Sequence, residues 1–292
     1  MKYTDISGKT VPCGVIGDPI EHTMSPVMHN AAFRELDLDY VYTAFRVRSE
    51  ELGEAIRGMR ALNIRGLNVT IPHKVNIIPF LDEVDPLAKK IGAVNTVINN
   101  GGTLTGHNTD ALGFLQALLD RGVDPKDKNV LVTGAGGASR AVCHILAERG
   151  AKLFIFNRVE ELDWAYELAA SVSCHYKYEA KAGELHRQNL AAVLPTADIL
   201  VNTTSVGMNP DGNRTPVDAD LLRKEMVVFD IVYNPIETRL LREAGSVGAQ
   251  TIRGIDMLAW QGALAFEKFT GKQAPVDLMR SEAIRLLEEH ED

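Results

Sequence analysis

NVLVTGAGGASRAVCHILAERGAKLFIFNR, residues 129–158, reads as strand, glycine-rich turn, helix, strand. Residues 130–132 are a short apolar run of the kind buried in a parallel sheet, and Gly134-Ala135-Gly136-Gly137-Ala138 follows at once. A chain that turns there from strand into helix needs one glycine for a tight backbone and a second where the main chain meets a ligand. It also offers the unpaired N–H groups of a helix start to an anion. A pyrophosphate fits that description, so the stretch predicts a dinucleotide site. Ser139 stands where the G-x-G-x-x-G pattern has its third glycine, but the preceding strand, the following helix and the spacing of the second strand supply the context a bare match lacks. That second strand ends in Asn157-Arg158. An arginine suits a ribose 2′-phosphate, whereas a carboxylate suits a free 2′-hydroxyl. Glu160 and Glu161 follow immediately and repel a phosphate, so the choice between NADP and NAD is contested within a few residues.

Around this stretch the chain is ordinary in composition, with 45% hydrophobic and 24% charged residues, and its 292 residues make room for about two domains. A net charge of −8 without clustered Lys and Arg argues against nucleic acid as a partner. No apolar run approaches the roughly 18 residues of a membrane span and no signal-peptide core opens the sequence, so no membrane is expected and the cytoplasm is the default location. Cys13, Cys143 and Cys174 are too scattered for a disulfide framework or a zinc site. His22, His29, His73 and His107 show no H-x-x-x-H pairing with a nearby acid, and no metal is expected.

The first hundred or so residues alternate strand and helix signals, pointing to a small α/β unit distinct from the dinucleotide unit. Strands are predicted over 11–16, 40–47 and 66–69, with helices over 26–36 and 49–62 between them. Ser25-Pro26 reads as a helix start, Ser25 as N-cap and Pro26 in the first helical position. Asn99-Asn100-Gly101-Gly102 is a strong hairpin signal, because primed turns need positive φ. Residues 109–122 read as a helix, and polar residues 124–129 as the boundary before the dinucleotide unit. Beyond Arg158 come a helix over 160–170, strands at 199–203 and 227–232, and two closing helices over 256–271 and 276–289. Thr203, Thr204 and Gly207 follow a strand, at the carboxyl edge where doubly wound sheets bind ligands.

Several separated stretches resemble one family in the right order. They are His22-Thr23-Met24-Ser25-Pro26 with His29-Asn30, Asn68-Val69-Thr70-Ile71-Pro72-His73-Lys74, Gly106-His107-Asn108-Thr109-Asp110, and Gly134-Ala135-Gly136-Gly137-Ala138. With Asn202-Thr203-Thr204-Ser205-Val206-Gly207-Met208 and Trp260-Gln261-Gly262-Ala263 they resemble the shikimate dehydrogenases, including the quinate/shikimate branch. The resemblance implies an α/β protein of two domains: residues 1–110 with 256–292 for substrate binding and catalysis, and a Rossmann-like unit over 111–255 for NAD(P), with the active site in the cleft between them. It implies reversible reduction of 3-dehydroshikimate to shikimate, and oxidation of quinate as a possible second activity, by a monomer or homodimer.

Carried over residue by residue, the resemblance makes Lys74 and Asp110 the proton-transfer pair. An ammonium in that place also polarises the ketone oxygen and stabilises the developing alkoxide. Thr23 and Ser25 match the hydroxyl pair that receives the substrate carboxylate. The first of the two is commonly serine, and the extra methyl of Thr23 narrows that end and bears on the balance of shikimate and quinate. Asn68, Thr70, Asn95, Tyr233 and Gln261 match contacts to the ring hydroxyls. Gly134 to Ala138, Asn157, Arg158, Thr203, Gly207, Val232, Gly254 and Met257 match cofactor positions. The family's NADP-specific members follow Asn-Arg with threonine and a further basic residue. Val159, Glu160 and Glu161 stand there instead, and an acid near Glu160 that accepts from the ribose 2′-hydroxyl leads to the expectation that NAD is used at least as well as NADP. Two rival readings remain: a methylene-tetrahydrofolate dehydrogenase-like enzyme, whose substrate motifs differ, and a non-catalytic metabolite sensor, which has little reason to keep both Lys74 and Asp110.

Overall fold

The alternation read in the sequence appears, in a computed structural model that describes residues 6–176 and 178–289, as strands and helices divided between two units. In chain order they are β1 (Val11–Gly17), α1 (Ser25–Glu35), β2 (Tyr40–Arg46), α2 (Leu52–Ala61), β3 (Gly66–Val69), β4 (Glu83–Val84), α3 (Pro86–Ile91), β5 (Thr96–Asn100), β6 (Thr103–His107) and α4 (Thr109–Leu119). There follow β7 (Asn129–Thr133), α5 (Gly137–Glu148), β8 (Lys152–Asn157), α6 (Leu162–Tyr176), β9 (Lys181–Glu184), α7 (Arg187–Val193), β10 (Ile199–Asn202), β11 (Val227–Asp230), α8 (Arg239–Ser246), β12 (Gln250–Ile252), α9 (Gly254–Thr270) and α10 (Val276–Glu289).

The first unit comprises residues 1–113 and 259–292, the second residues 114–258. The division falls inside α4 and inside α9, not in the polar stretch 124–129, where the sequence alone places a boundary. Both helices carry apolar residues into the two units: Ala111 and Phe114, on either side of the division in α4, are both fully buried. No helix among the described residues is long and apolar enough to cross a membrane.

In the first unit the sheet order is β2-β1-β3-β5-β6-β4. β2, β1 and β3 run parallel, and the β5–β6 hairpin adds antiparallel to β3. The predicted turn is there, with Gly101 at φ 61° and Gly102 at φ 98°. Ile16, Leu67, Val69, Val94, Val97 and Leu104 pack against Leu52, Ile56 and Met59 of α2 to form one core. The ends of β1 and β3 and the loop after β3 are thereby fixed to a rigid layer.

The second unit has the all-parallel order β12-β11-β10-β7-β8-β9. Numbered from β7 as first strand this is 3-2-1-4-5-6, the order of the doubly wound dinucleotide fold, with its switch between β7 and β10. Among the elements with no counterpart in the sequence reading are β4 and α3 in the first unit and β9 and α7 in the second. β9 is the edge strand, polar and only partly buried, so it shows neither alternation nor an apolar run.

Candidate active site

Lys74 follows β3 by one turn of irregular chain, and its carbonyl accepts from the Val94 amide at 2.8 Å. Its Nζ donates to Asp110 Oδ2 at 2.7 Å, with the two side chains only 19% and 8% exposed. Asp110 stands in the first turn of α4, where the helix dipole favours a carboxylate. Asn108 starts that helix: its Oδ1 accepts from the Ala111 amide at 3.1 Å and its Nδ2 donates to Ala93 O at 3.0 Å. The other oxygen of Asp110 accepts from Asn95 Nδ2 at 2.8 Å. Asn95 has no freedom to turn over, since its Oδ1 accepts from the Thr109 amide at 2.7 Å and from Thr96 Oγ1 at 3.0 Å. An amide N–H only donates, so the orientation of Asn95 follows, and with it the acceptor role of Asp110.

The same network continues to Asn68, whose Nδ2 donates to Thr96 Oγ1 at 3.1 Å and to Asn95 O at 3.3 Å. Tyr42 Oη donates to Asn68 Oδ1 at 2.7 Å. Thr23 Oγ1 donates to Ser25 Oγ at 3.3 Å. A continuous polar chain therefore runs through the first unit from Tyr42 to Lys74, with Thr23 and Ser25 as a separate pair. Thr70 sits half-buried beside it, its amide donating to Ile16 O at 3.0 Å and its carbonyl accepting from the His73 amide at 2.9 Å. Buried His73 ties this loop to the end of β2 through Nε2 and Val47 O at 2.7 Å.

The expected capping role of Ser25 is not observed. Ser25 is the first residue of α1, the N-cap is Met24 without a side-chain bond, and Pro26 takes the second helical position. The Ser25 hydroxyl is therefore not committed to the helix end. Gln261 lies on α9 in the first unit, and α4 comes so near that a Cβ on Gly113 would meet Gln261 N at 2.7 Å and Cα at 2.9 Å. Tyr233 belongs to the second unit, unlike the other residues matched to substrate.

In the second unit Gly134 has φ 98°, and a Cβ there would lie 2.8 Å from Thr203 Oγ1. Glycine is required at that place by the protein itself. Gly136 differs: its φ is −78°, it is the N-cap of α5, and neither it nor Gly137 has any atom within 4 Å of an added Cβ. Neither backbone strain nor packing asks for glycine at these two, and the helix start is open there. Ala135 is buried beneath them and Ala138 half-buried. Ser139 is buried and donates from Oγ to Gly134 O at 2.7 Å, so the residue in the third glycine position braces the turn.

At the end of β8, Asn157 is buried and donates from Nδ2 to Glu161 O at 2.9 Å. Arg158 is exposed and paired with the Glu161 carboxylate, which lies below its ordinary pKa chiefly because of that bond. Glu160 is exposed. Thr203 Oγ1 donates to Thr133 O at 2.6 Å and so lies against the glycine turn, and Gly207, at φ 92°, reverses the chain beyond it. Val232 and Met257 are buried, and a Cβ on Gly254 would lie 2.4 Å from the carbonyl oxygens of both Ile231 and Val232.

Buried Asp230 holds this edge together. Its Oδ1 accepts from Asn202 Nδ2 at 2.9 Å and the Val232 amide at 3.1 Å, and its Oδ2 from Thr238 Oγ1 at 2.7 Å. Burial raises its carboxyl to about 6 despite these donors. The native state thus binds this proton more tightly than the unfolded chain, and the stability it contributes is full at low pH and lost as pH rises through about 6. Asp230→Asn keeps an oxygen for Asn202 and Val232 and offers an N–H to Thr238. Between pH 5 and 7 the wild type is expected to lose about 1 kcal/mol relative to the variant in urea unfolding. Parallel pH profiles for the two proteins rule this out.

Comparison with known proteins bears on the whole chain. A model of the shikimate dehydrogenase substrate-binding domain matches residues 15–97, one of shikimate/quinate 5-dehydrogenase matches 117–242, and one of the shikimate 5-dehydrogenase C-terminal domain matches 254–284. A shikimate dehydrogenase (NADP(+)) of Bacillus cereus (strain 03BB102) is 48% identical over 276 residues, covering 94% of this chain and 98% of that protein. The chain belongs to the shikimate dehydrogenase family. Among solved members, shikimate 5-dehydrogenase from Listeria monocytogenes in complex with shikimate and NAD has a TM-score of 0.91 at 42% identity, over 95% of this chain and 98% of that one. Quinate dehydrogenase from Corynebacterium glutamicum in complex with NAD has a TM-score of 0.88 at 33% identity, over 94% and 99%.

For a shikimate dehydrogenase read from sequence, the residues left out are Tyr42, Thr96 and Thr109. Each is an ordinary strand or helix-start residue by type. Thr109 lies inside the Gly106–Asp110 motif, but for Tyr42 and Thr96 only the shared partners Asn68 and Asn95 reveal the link, and no local spacing signals it.

Proposed function

We propose that this chain catalyses the reversible NAD(P)-dependent reduction of 3-dehydroshikimate to shikimate. The observation that carries the reading is the Lys74–Asp110 pair, 2.7 Å apart and nearly buried in a network of oriented amides and hydroxyls. A solvated surface pair needs no such support. When bound, the nicotinamide supplies hydride to the ketone carbon or takes it back from the alcohol. Lys74 donates a proton to the oxygen as it becomes an alkoxide, and as a cation it stabilises the charge developing there. In the oxidative direction Lys74 removes the hydroxyl proton. Asp110, held by Asn95, keeps the ammonium aimed. Ser25 and Thr23 receive the carboxylate, while Asn68, Thr70, Asn95, Tyr233 and Gln261 contact ring hydroxyls. These polar groups match a polyhydroxylated acid and disfavour analogues that leave them unpaired. The methyl of Thr23 bears on quinate. An absorbance assay at the nicotinamide band with shikimate and then quinate tests the function, and no turnover of either with NAD or NADP defeats it.

The open backbone at Gly136 and Gly137 fits a pyrophosphate, with Thr203, Gly207, Val232, Gly254 and Met257 toward the nicotinamide. For the ribose end, the pairing of Arg158 with Glu161 supports use of NAD at least as well as NADP. Glu161 neutralises the guanidinium that a 2′-phosphate would seek, and Glu160 is placed by sequence to accept from a 2′-hydroxyl. Glu161→Gln releases Arg158 and is expected to raise the NADP/NAD ratio of kcat/KM by about threefold to tenfold, and Glu160→Ala to weaken NAD selectively. A wild-type preference for NADP above about tenfold, or a ratio unmoved by Glu161→Gln, contradicts this account.

A further inference from the structure

Tyr42 is 2% exposed and has no role in the chemistry above. Its main chain is clamped to α1: its amide donates to Asn30 Oδ1 at 2.9 Å and its carbonyl accepts from Asn30 Nδ2 at 2.8 Å. Its ring stacks on His29, centroids 4.2 Å and planes 1° apart. Burial takes the His29 imidazole down to about 3, so the stack is one of two uncharged rings. The hydroxyl is what faces the network.

The sense of its bond to Asn68 is determined. Asn68 Nδ2 points to Asn95 O, a carbonyl that only accepts, so Asn68 Oδ1 faces Tyr42 and the phenol must donate. Burial holds the phenol well above its ordinary range, which keeps the donor in place.

We propose that Tyr42 is a positioning residue for substrate: its hydroxyl donates to Asn68 and holds the amide oxygen of that side chain ready for a ring hydroxyl. The proposal rests on the reading of Asn68 as a substrate contact. Tyr42 neither carries charge nor transfers a proton in the reaction, so its effect falls on substrate binding and not on the chemical step.

Tyr42→Phe is expected to raise KM for shikimate about tenfold, with kcat within about twofold of wild type. The cofactor Kd stays unchanged, and the thermal shift produced by shikimate alone shrinks. In the Asn68→Ala background the same change adds less than about twofold, because the group it orients is gone. Tyr42→4-aminophenylalanine returns an N–H donor and restores KM to within about threefold, and it carries the test if the phenylalanine variant fails to fold. The proposal is overturned if Tyr42→Phe leaves KM unchanged, lowers kcat as much as it raises KM, or acts with full force on top of Asn68→Ala. Should Asn68→Ala itself leave KM unchanged, the substrate-site reading of Asn68 fails and takes this proposal with it.

Discussion

Lys74→Met is expected to lower kcat for shikimate oxidation by at least about 10³-fold, the combined worth of a positioned proton-transfer group and a charge beside the alkoxide. Methionine keeps the length and apolar stem of lysine, so the loop after β3 and its bond to Val94 remain. Asp110→Asn should cost about 10²-fold, since the amide can still accept from Asn95 but presents N–H to the ammonium it must hold. The two act as one unit, and the double variant is expected to be no slower than Lys74→Met alone. Multiplication of the two losses would mean that Asp110 acts independently of Lys74. Retention of activity within about tenfold in Lys74→Met would reduce the pair to a structural ion pair.

Gly136→Val is expected to weaken cofactor binding at least about 100-fold while moving Tm by no more than about 3 °C, because the position is exposed and no atom outside the turn lies within 4 Å of an added Cβ. Gly254→Ala is the opposite case. Its single methyl meets two backbone oxygens at 2.4 Å, and neither can rotate away. The start of α9 must move, at a cost of about 3 kcal/mol and a loss in Tm of roughly 6–12 °C. Cofactor titration by protein fluorescence alongside thermal unfolding separates the two. If Gly136→Val lowers Tm as much as Gly254→Ala does, the turn is glycine for the protein's sake and not for a pyrophosphate.

The dinucleotide unit was legible because its signal is local: β7, the glycine turn, α5 and β8 lie in one run of sequence, each with its own period. The β5–β6 hairpin was legible for the same reason, as Gly101 and Gly102 take the positive φ that the turn chemistry demands. Edge strand β9 was not, having neither alternation nor an apolar run. On general grounds the polar loop 124–129 reads as a boundary, yet α4 and α9 each continue unbroken through the division after residues 113 and 258. A helix terminus is written in nearby residues, whereas membership of a core depends on distant ones.

At the candidate site the sequence by itself determined which residue types are present: a lysine, an aspartate, amides and hydroxyls in motifs of recognisable order. Tertiary structure decided what those groups are free to do. Ser25 resembles a helix cap in sequence and is spared that task because Met24 occupies the cap, while the Arg158 guanidinium is taken by Glu161 and not by its nearer neighbour Glu160. The Tyr42–Asn68 bond joins residues on β2 and β3, strands that are not even adjacent but flank β1. The physical reason is that a hydrogen bond is directional and saturable. Which donor meets which acceptor, and which lone pair is left over for a substrate, is settled only when strands far apart in the chain are brought into register.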